Sequence, residues 1–178
     1  MWKTTGMNKR VEEALNQQIE KEASSSQFYL AMASWAENKG LNGTAKFLYR
    51  HSDEERFHML KLVKFVNERG GTAVIPGLET PPSEFESLPN VFSLLLEHEL
   101  KVTQSINEVV DVCLQEKDYT THNFMQWYVS EQLEEEALAR TILDKLHLIG
   151  SDKGGLYLFD RDLENAAIQP ENKGTQNA

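Results

Sequence analysis

Leu48-Tyr49-Arg50-His51-Ser52-Asp53-Glu54-Glu55-Arg56-Phe57-His58-Met59-Leu60-Lys61-Leu62 is the stretch whose reading decides the fold. Taken at alternating steps of three and four, it yields one face of a helix, Leu48, His51, Glu55, His58, Leu62 and on to Phe65. That face is apolar at both ends and polar in the middle. Glu55 and His58, three residues apart, project from one side of the helix and can reach a single metal ion.

Working outward, glycine and proline cluster at Gly40 and Gly43, from Gly70 to Pro89, from Gly150 to Gly155, and in the last ten residues. The long intervals between these clusters are rich in helix formers. They predict α1 over about 8–39, α2 over about 42–69, α3 over about 90–116, α4 over about 119–149 and a short α5 over about 155–166. The α1–α2 and α3–α4 connections have room only for tight turns, which makes two antiparallel hairpins. Between the hairpins, Pro76, Pro81, Pro82 and Pro89 rule out a continuous helix. An extended strap of some 20 residues, at about 3.3 Å each, could run the whole length of the bundle. The expected fold is all-α: a four-helix bundle with one long crossover between α2 and α3 and a short fifth helix. Residues 1–7 form an N-terminal extension, 8–166 the domain, and 167–178 a polar tail expected to be disordered.

The other three helices repeat the pattern of α2. The seam of α1 is Leu15, Ile19, Glu22, Ser26, Tyr29, Ala33 and Ala36; that of α3 is Phe92, Leu95, Glu99, Val102, Ile106, Val109 and Cys113. In α4 it is Met125, Tyr128, Gln132, Glu135, Ala139, Ile142 and Leu146. Each helix therefore points at least one potential metal ligand inward. Glu22 lies 18 residues before Gly40 and Glu55 lies 15 after it, so a hairpin brings them to within about one turn of the same height. Glu99 and Gln132 stand in the same relation to Lys117. A buried carboxylate loses several kcal/mol of hydration, and no Lys or Arg occupies any seam to compensate. Two divalent cations would balance four carboxylates and satisfy their lone pairs.

Composition narrows the classes of function. The net charge of −10 and the lack of a basic cluster argue against nucleic-acid binding. No apolar run approaches the roughly 18 residues of a membrane span, and Met1 to Met7 lacks a secretory h-region. Cys113 is the only cysteine, which excludes an intrachain disulfide and a cysteine-based zinc site. A cytoplasmic protein that binds cations is expected, with no membrane or nucleic-acid partner.

Three segments carry a family resemblance: Arg50 to Met59, Asn123-Phe124-Met125-Gln126-Trp127-Tyr128-Val129-Ser130-Glu131-Gln132, and Gly155-Leu156-Tyr157-Leu158-Phe159-Asp160. Together they resemble the bacterial non-haem ferritins over nearly all of 8–165. The resemblance implies iron storage and detoxification in an octahedral shell of twenty-four identical chains. Each chain would oxidise Fe(II) with O2 or H2O2 at a di-iron ferroxidase centre. Position by position, it implies Glu22, Glu55 and His58 as ligands of the first iron. For the second it implies Glu55 as a bridge, with Glu99 and Gln132. Tyr29 matches the tyrosine beside such centres, and Glu54, Glu131, Glu134 and Glu135 match a third iron site. Haem-carrying bacterioferritins usually have Met after the bridging Glu and a second Glu-x-x-His in α4. Arg56, and Gln132 with Glu135, depart from both features, so no haem is expected.

Other residues take plainer readings. His51 shares the seam of Glu55 but reads as a hydrogen-bonded histidine behind the ligands, outside the site. His98, His122 and His147 read as surface or helix-end residues, and Cys113 as a small apolar core position. The apolar run Leu156 to Phe159 suits burial against other subunits. The rival readings are a two-iron oxidase acting on a small molecule and a metal-free helical interaction protein. Metal content separates the second from a ferritin.

Overall fold

Caps set the helix limits close to where the sequence places them. In this computed structural model, which describes residues 6–168, α1 spans Lys9–Asn38, α2 Asn42–Glu68, α3 Leu88–Gln115, α4 Tyr119–Ile149 and α5 Lys153–Ile168. No strand occurs among the described residues. Asn8 caps α1 by accepting from the Arg10 N–H, and Ser87 caps α3 by accepting from the Asn90 N–H at 3.2 Å. Pro89, expected in the strap, lies instead in the first turn of α3. Its missing N–H costs nothing there, because the first turn has no intrahelical acceptor for it. Of the tail expected at 167–178, residues 167 and 168 belong to α5, and 169–178 lie outside the described residues.

Gly40 ends α1 at φ 75° and lets the Leu41 N–H reach back to the Ala36 carbonyl at 2.9 Å, a tight reversal into α2. Lys117 makes the matching turn between α3 and α4, at φ 57°. The strap then runs along α1. Asn16 holds Thr72 and Val74 through bonds of 3.0 and 2.7 Å, and Phe85 packs on Trp35 nearly twenty residues further along the same helix. The strap thus carries the chain back along the bundle, and α3 starts at the end where α2 also starts. Arg69 clamps Asp118 through two bonds of 3.2 and 3.1 Å, tying the end of α2 to the start of α4. Among the described residues, no helix is long and apolar enough to cross a membrane.

Every seam position read from the sequence is buried except Ser26, Phe65 and Glu135, which are half-buried. The apolar residues do not form one core. One cluster, around Tyr29, Trp35, Phe47, Leu48, Phe92, Leu95 and Ile142, fills one end of the bundle. A second, around Leu15, Ile19, Leu62, Val102, Ile106, Met125 and Tyr128, fills the other. On α2 the step from Leu48 to Leu62 crosses His51, Glu55 and His58, and on α3 the step from Leu95 to Val102 crosses Glu99. A polar layer separates the two clusters.

The short α5 crosses the start of α2. Leu41, at the α2 N-cap, makes no side-chain cap, and the Asp160 carboxylate substitutes for it. It accepts from the Gly43 and Thr44 N–H groups at 3.0 and 2.8 Å and from Thr44 Oγ1 at 2.7 Å. An acidic group at this helix end also meets the positive pole of the helix dipole. Phe159 is buried against its own bundle, edge-on to Phe92, while Tyr157 and Leu158 remain exposed. The apolar run of α5 is thus divided between its own core and an outward face.

Only glycine fits at position 43, because a Cβ there would overlap the Asp160 carbonyl. Gly43→Ala is expected to push α5 off α2 and lower stability by about 1–3 kcal/mol, the usual cost of overpacking. Limited proteolysis near residues 150–152, read beside thermal unfolding, checks this, and unchanged digestion with an unchanged Tm would contradict it.

Candidate metal centre

Four helices contribute to the polar layer because each seam turns polar at mid-length. Ligand atoms of Glu22 on α1 and of Glu55 and His58 on α2 lie within 4.8 Å of one another, and all three residues are buried. His58 Nδ1 is 3.7 Å from carboxylate oxygens of both Glu22 and Glu55. Tyr128 fixes the α2 backbone here by donating its hydroxyl to the His58 carbonyl at 2.8 Å. Glu22 Oε1 accepts from Gln18 Nε2 at 2.8 Å, whereas Oε2 is buried with no hydrogen-bond partner. A buried carboxylate oxygen without a donor lacks the compensation such atoms normally have. A divalent cation among these three residues would provide it.

Glu99 stands apart from this trio. Its Oε1 accepts from the Tyr29 hydroxyl and its Oε2 from Gln132 Nε2 at 3.0 Å; the same Nε2 also reaches the Glu99 carbonyl and Thr103 Oγ1, each at 3.2 Å. Tyr29, Glu99 and Gln132 therefore form a hydrogen-bonded unit next to the trio, near enough that the Glu99 charge acts on Glu55. The six residues assigned to a di-iron centre occupy one layer, as a trio that could hold a metal ion and a linked trio beside it.

Of the four glutamates assigned to a third site, two come together, with a partner the sequence reading left out. His51, Glu54 and Glu135 offer ligand atoms within 4.8 Å of one another, with His51 Nε2 at 3.0 Å from Glu135. The His51 ring stacks on Phe47 at 4.2 Å, and its Nδ1 lies 3.3 Å from the Phe47 carbonyl. A metal-binding histidine commonly donates its second nitrogen to such a carbonyl. Glu131 approaches His58 Nε2 at 4.0 Å instead, and Glu134 is exposed, outside both groups. His51 had a signal in the sequence, since it lies in the seam one turn before Glu55.

His98, expected at the surface, is half-buried, with Nε2 at 2.8 Å from Ser25 Oγ and its ring against Phe28 and Tyr29. Burial first, and then Lys101, push its pKa down to about 4. Burial also pushes the Cys113 thiol up to about 11, in keeping with an apolar core position.

Burial, then the charges of Glu22 and Glu99, raise the Glu55 carboxyl well above the usual carboxylate range; burial raises Glu99 against the opposing hydrogen bonds from Tyr29 and Gln132. A carboxyl with a raised folded-state pKa holds its proton more tightly when folded. The stability it contributes is full below the unfolded carboxylate pKa and is lost as pH rises through the folded value. His98 acts in the opposite sense as its unfolded form takes up protons, and comparing two variants that share it removes its effect. The metal-free Glu55→Gln protein is expected to be the more stable at about pH 8, with the difference shrinking toward about pH 5. Denaturant unfolding across that range is the check, and a difference independent of pH would contradict it.

Comparison with known proteins agrees with this architecture. Residues 12–149 match the ferritin family profile, described as a ferritin-like domain. The chain is 47% identical over 163 residues to a probable bacterial non-heme ferritin-like protein of Haemophilus influenzae, covering 92% of this chain and 99% of that one. It is 44% identical over 162 residues to a bacterial non-heme ferritin of Campylobacter jejuni, covering 91% and 97%. Among solved structures, an open pore ferritin from the hyperthermophilic archaeon Archaeoglobus fulgidus superposes with a TM-score of 0.87 at 44% identity, covering 89% of this chain and 96% of that one. A bundle with a polar layer at mid-height, matched along most of its length in sequence and in backbone, places this chain in the ferritin family.

Proposed function

We propose that this chain stores iron as a ferritin subunit of the non-haem type, oxidising Fe(II) to Fe(III) at an intrasubunit di-iron centre. Fe(II) is the substrate. The observation that carries the reading is the buried trio Glu22, Glu55 and His58, with Glu22 Oε2 lacking a hydrogen-bond partner. Glu22, Glu55 and His58 bind the first ion; Glu55, Glu99 and Gln132 bind the second, with Glu55 shared. Carboxylate oxygens favour the harder Fe(III) ion, so this donor set makes loss of an electron easier. Each Fe(II) supplies one electron, so a pair reduces O2 to H2O2, or H2O2 to water, with protons taken from solvent. Tyr29 orients Glu99 through its hydroxyl. Gln132, neutral and weakly coordinating, leaves the second ion free to move on as product. Glu54 and Glu135, with His51 beside them, form a third position.

The domain is read as 8–166, preceded by a short extension, and the protein as cytoplasmic. Twenty-four chains of 20.3 kDa would make a shell of about half a megadalton. The exposed Tyr157 and Leu158 on α5 and the exposed Leu148 supply apolar surface for contacts between copies.

Anaerobic Fe(II) titration of the apoprotein, followed by exposure to air, tests the reading. Two or three tightly bound ions per chain, rapid oxidation and a soluble iron-filled assembly are expected. Glu55→Gln is expected to slow oxidation by a factor of 100 or more, on the order of 3 kcal/mol in barrier height, because it removes the shared ligand. Binding without mineral accumulation would point to a small-molecule oxidase, and no binding would sink the metal reading. Replacing both Glu54 and Glu135 by Gln is expected to lower the stoichiometry by one ion while fast oxidation of the first pair survives; an unchanged stoichiometry would remove the third position.

A further inference from the structure

We infer that Gln18 is a positioning residue for Glu22, and that Ser105 on α3 anchors the Gln18 side chain in place. The inference rests on the proposed role of Glu22 as a metal ligand.

Gln18 is 1% exposed and lies one helical turn before Glu22 on the same face of α1. Its Nε2 donates to Glu22 Oε1 at 2.8 Å, and its Oε1 accepts from Ser105 Oγ at 2.7 Å. The order of this chain follows from chemistry. An ionised carboxylate can only accept, so the amide nitrogen must face Glu22, and the amide oxygen is then left for the serine proton. Reversing the amide would place oxygen against oxygen at the Glu22 end. The Glu22 carboxylate therefore fixes which way Gln18 points; Ser105, whose Oγ also lies 2.9 Å from the Val102 carbonyl, anchors the amide oxygen, and Gln18 fixes which oxygen of Glu22 is occupied.

The effect falls on the metal site. Oε1 is held by the protein, and Oε2 is the oxygen left buried without a hydrogen bond, 3.7 Å from His58 Nδ1. Glu22 thus offers one oxygen rather than two, and a coordination position that a second carboxylate oxygen would have filled stays open for a reactant. An open position of this kind is what separates a reactive metal site from a closed structural one. A merely structural role for Gln18 and Ser105, as a hydrogen-bonded tie between α1 and α3, would leave the coordination of the first ion untouched.

Co(II), which takes similar ligands and reports its geometry by visible absorption, separates the two roles when titrated anaerobically into the full-length protein. Gln18→Leu is expected to weaken the tightest Co(II) binding about 10- to 100-fold, the usual effect of removing the partner of a metal ligand, and to change the absorption bands. Ser105→Ala shifts both readings the same way by less, and Ser105→Thr, which keeps the hydroxyl, restores them. Affinity and spectrum unchanged in Gln18→Leu, while Glu22→Ala loses both, would overturn the positioning role and leave the ligand reading standing. An unaltered protein that binds no Co(II) would overturn the ligand reading itself. Should Gln18→Leu fail to fold, the half-buried Ser105→Ala carries the test, and wild-type affinity and spectrum there would overturn the inference.

Discussion

Three glutamates buried at the centre of a helical bundle, with no lysine or arginine to meet them, are the constraint around which the molecule is arranged. Glu22, Glu55 and Glu99 are each at most 1% exposed, and the ion pairs of Glu22 and Glu55 within the layer are to His58 alone. Taking such charges out of water costs several kcal/mol apiece unless something restores what hydration gave them. The protein itself supplies part of the restoration: Gln18 donates to Glu22, and Tyr29 and Gln132 donate to Glu99. What these donors leave over is one buried carboxylate oxygen without a hydrogen bond, Glu22 Oε2, which a bound divalent cation would satisfy.

The rest of the fold keeps that layer in place. Two apolar clusters, one on either side of it, supply the burial that holds four helices together in spite of it. Long helices are required because each must cross one cluster, the polar layer and the other cluster in turn. The crossover strap returns the chain along α1, so α3 begins at the end where α2 begins and its Glu99, 11 residues in, stands near the height of Glu55, 13 residues into α2. Caps at the helix ends act locally to the same purpose. Partial burial opposes ionisation of Asp118, but the Thr121 N–H and hydroxyl, and then the Arg69 guanidinium, outweigh it and hold the carboxyl below its usual range where α4 begins.

The sequence made the bundle legible because its punctuation and its periodicity agree. Helix limits came within two residues of those observed, and the seams identified the buried face of all four long helices, their polar members included. Pro89 was misplaced because proline breaks a helix interior yet fits a first turn, and Ser87 as the cap was the clue. The site was only partly legible. A seam names residues that face inward, but it does not say which of them meet. Glu99 and Gln132 proved to be bonded to each other, and His51, read as standing behind the ligands, groups with Glu54 and Glu135 while Glu134 points outward. Gln18 and His98 flank the seams by one turn or one residue. Residues beside a seam become visible only when helix rotation and cross-helix partners such as Ser105 and Ser25 are known.

The most direct test of the central claim, that this buried layer exists to hold two metal ions, is to locate metal in crystals of the protein soaked anaerobically with Fe(II), by anomalous scattering at the iron edge. The account predicts two strong peaks inside each bundle, one among Glu22, Glu55 and His58 and the other between Glu55 and Glu99, with the Glu55 carboxylate spanning them. Density confined to exposed carboxylates, with the layer between the two apolar clusters left empty, would contradict it.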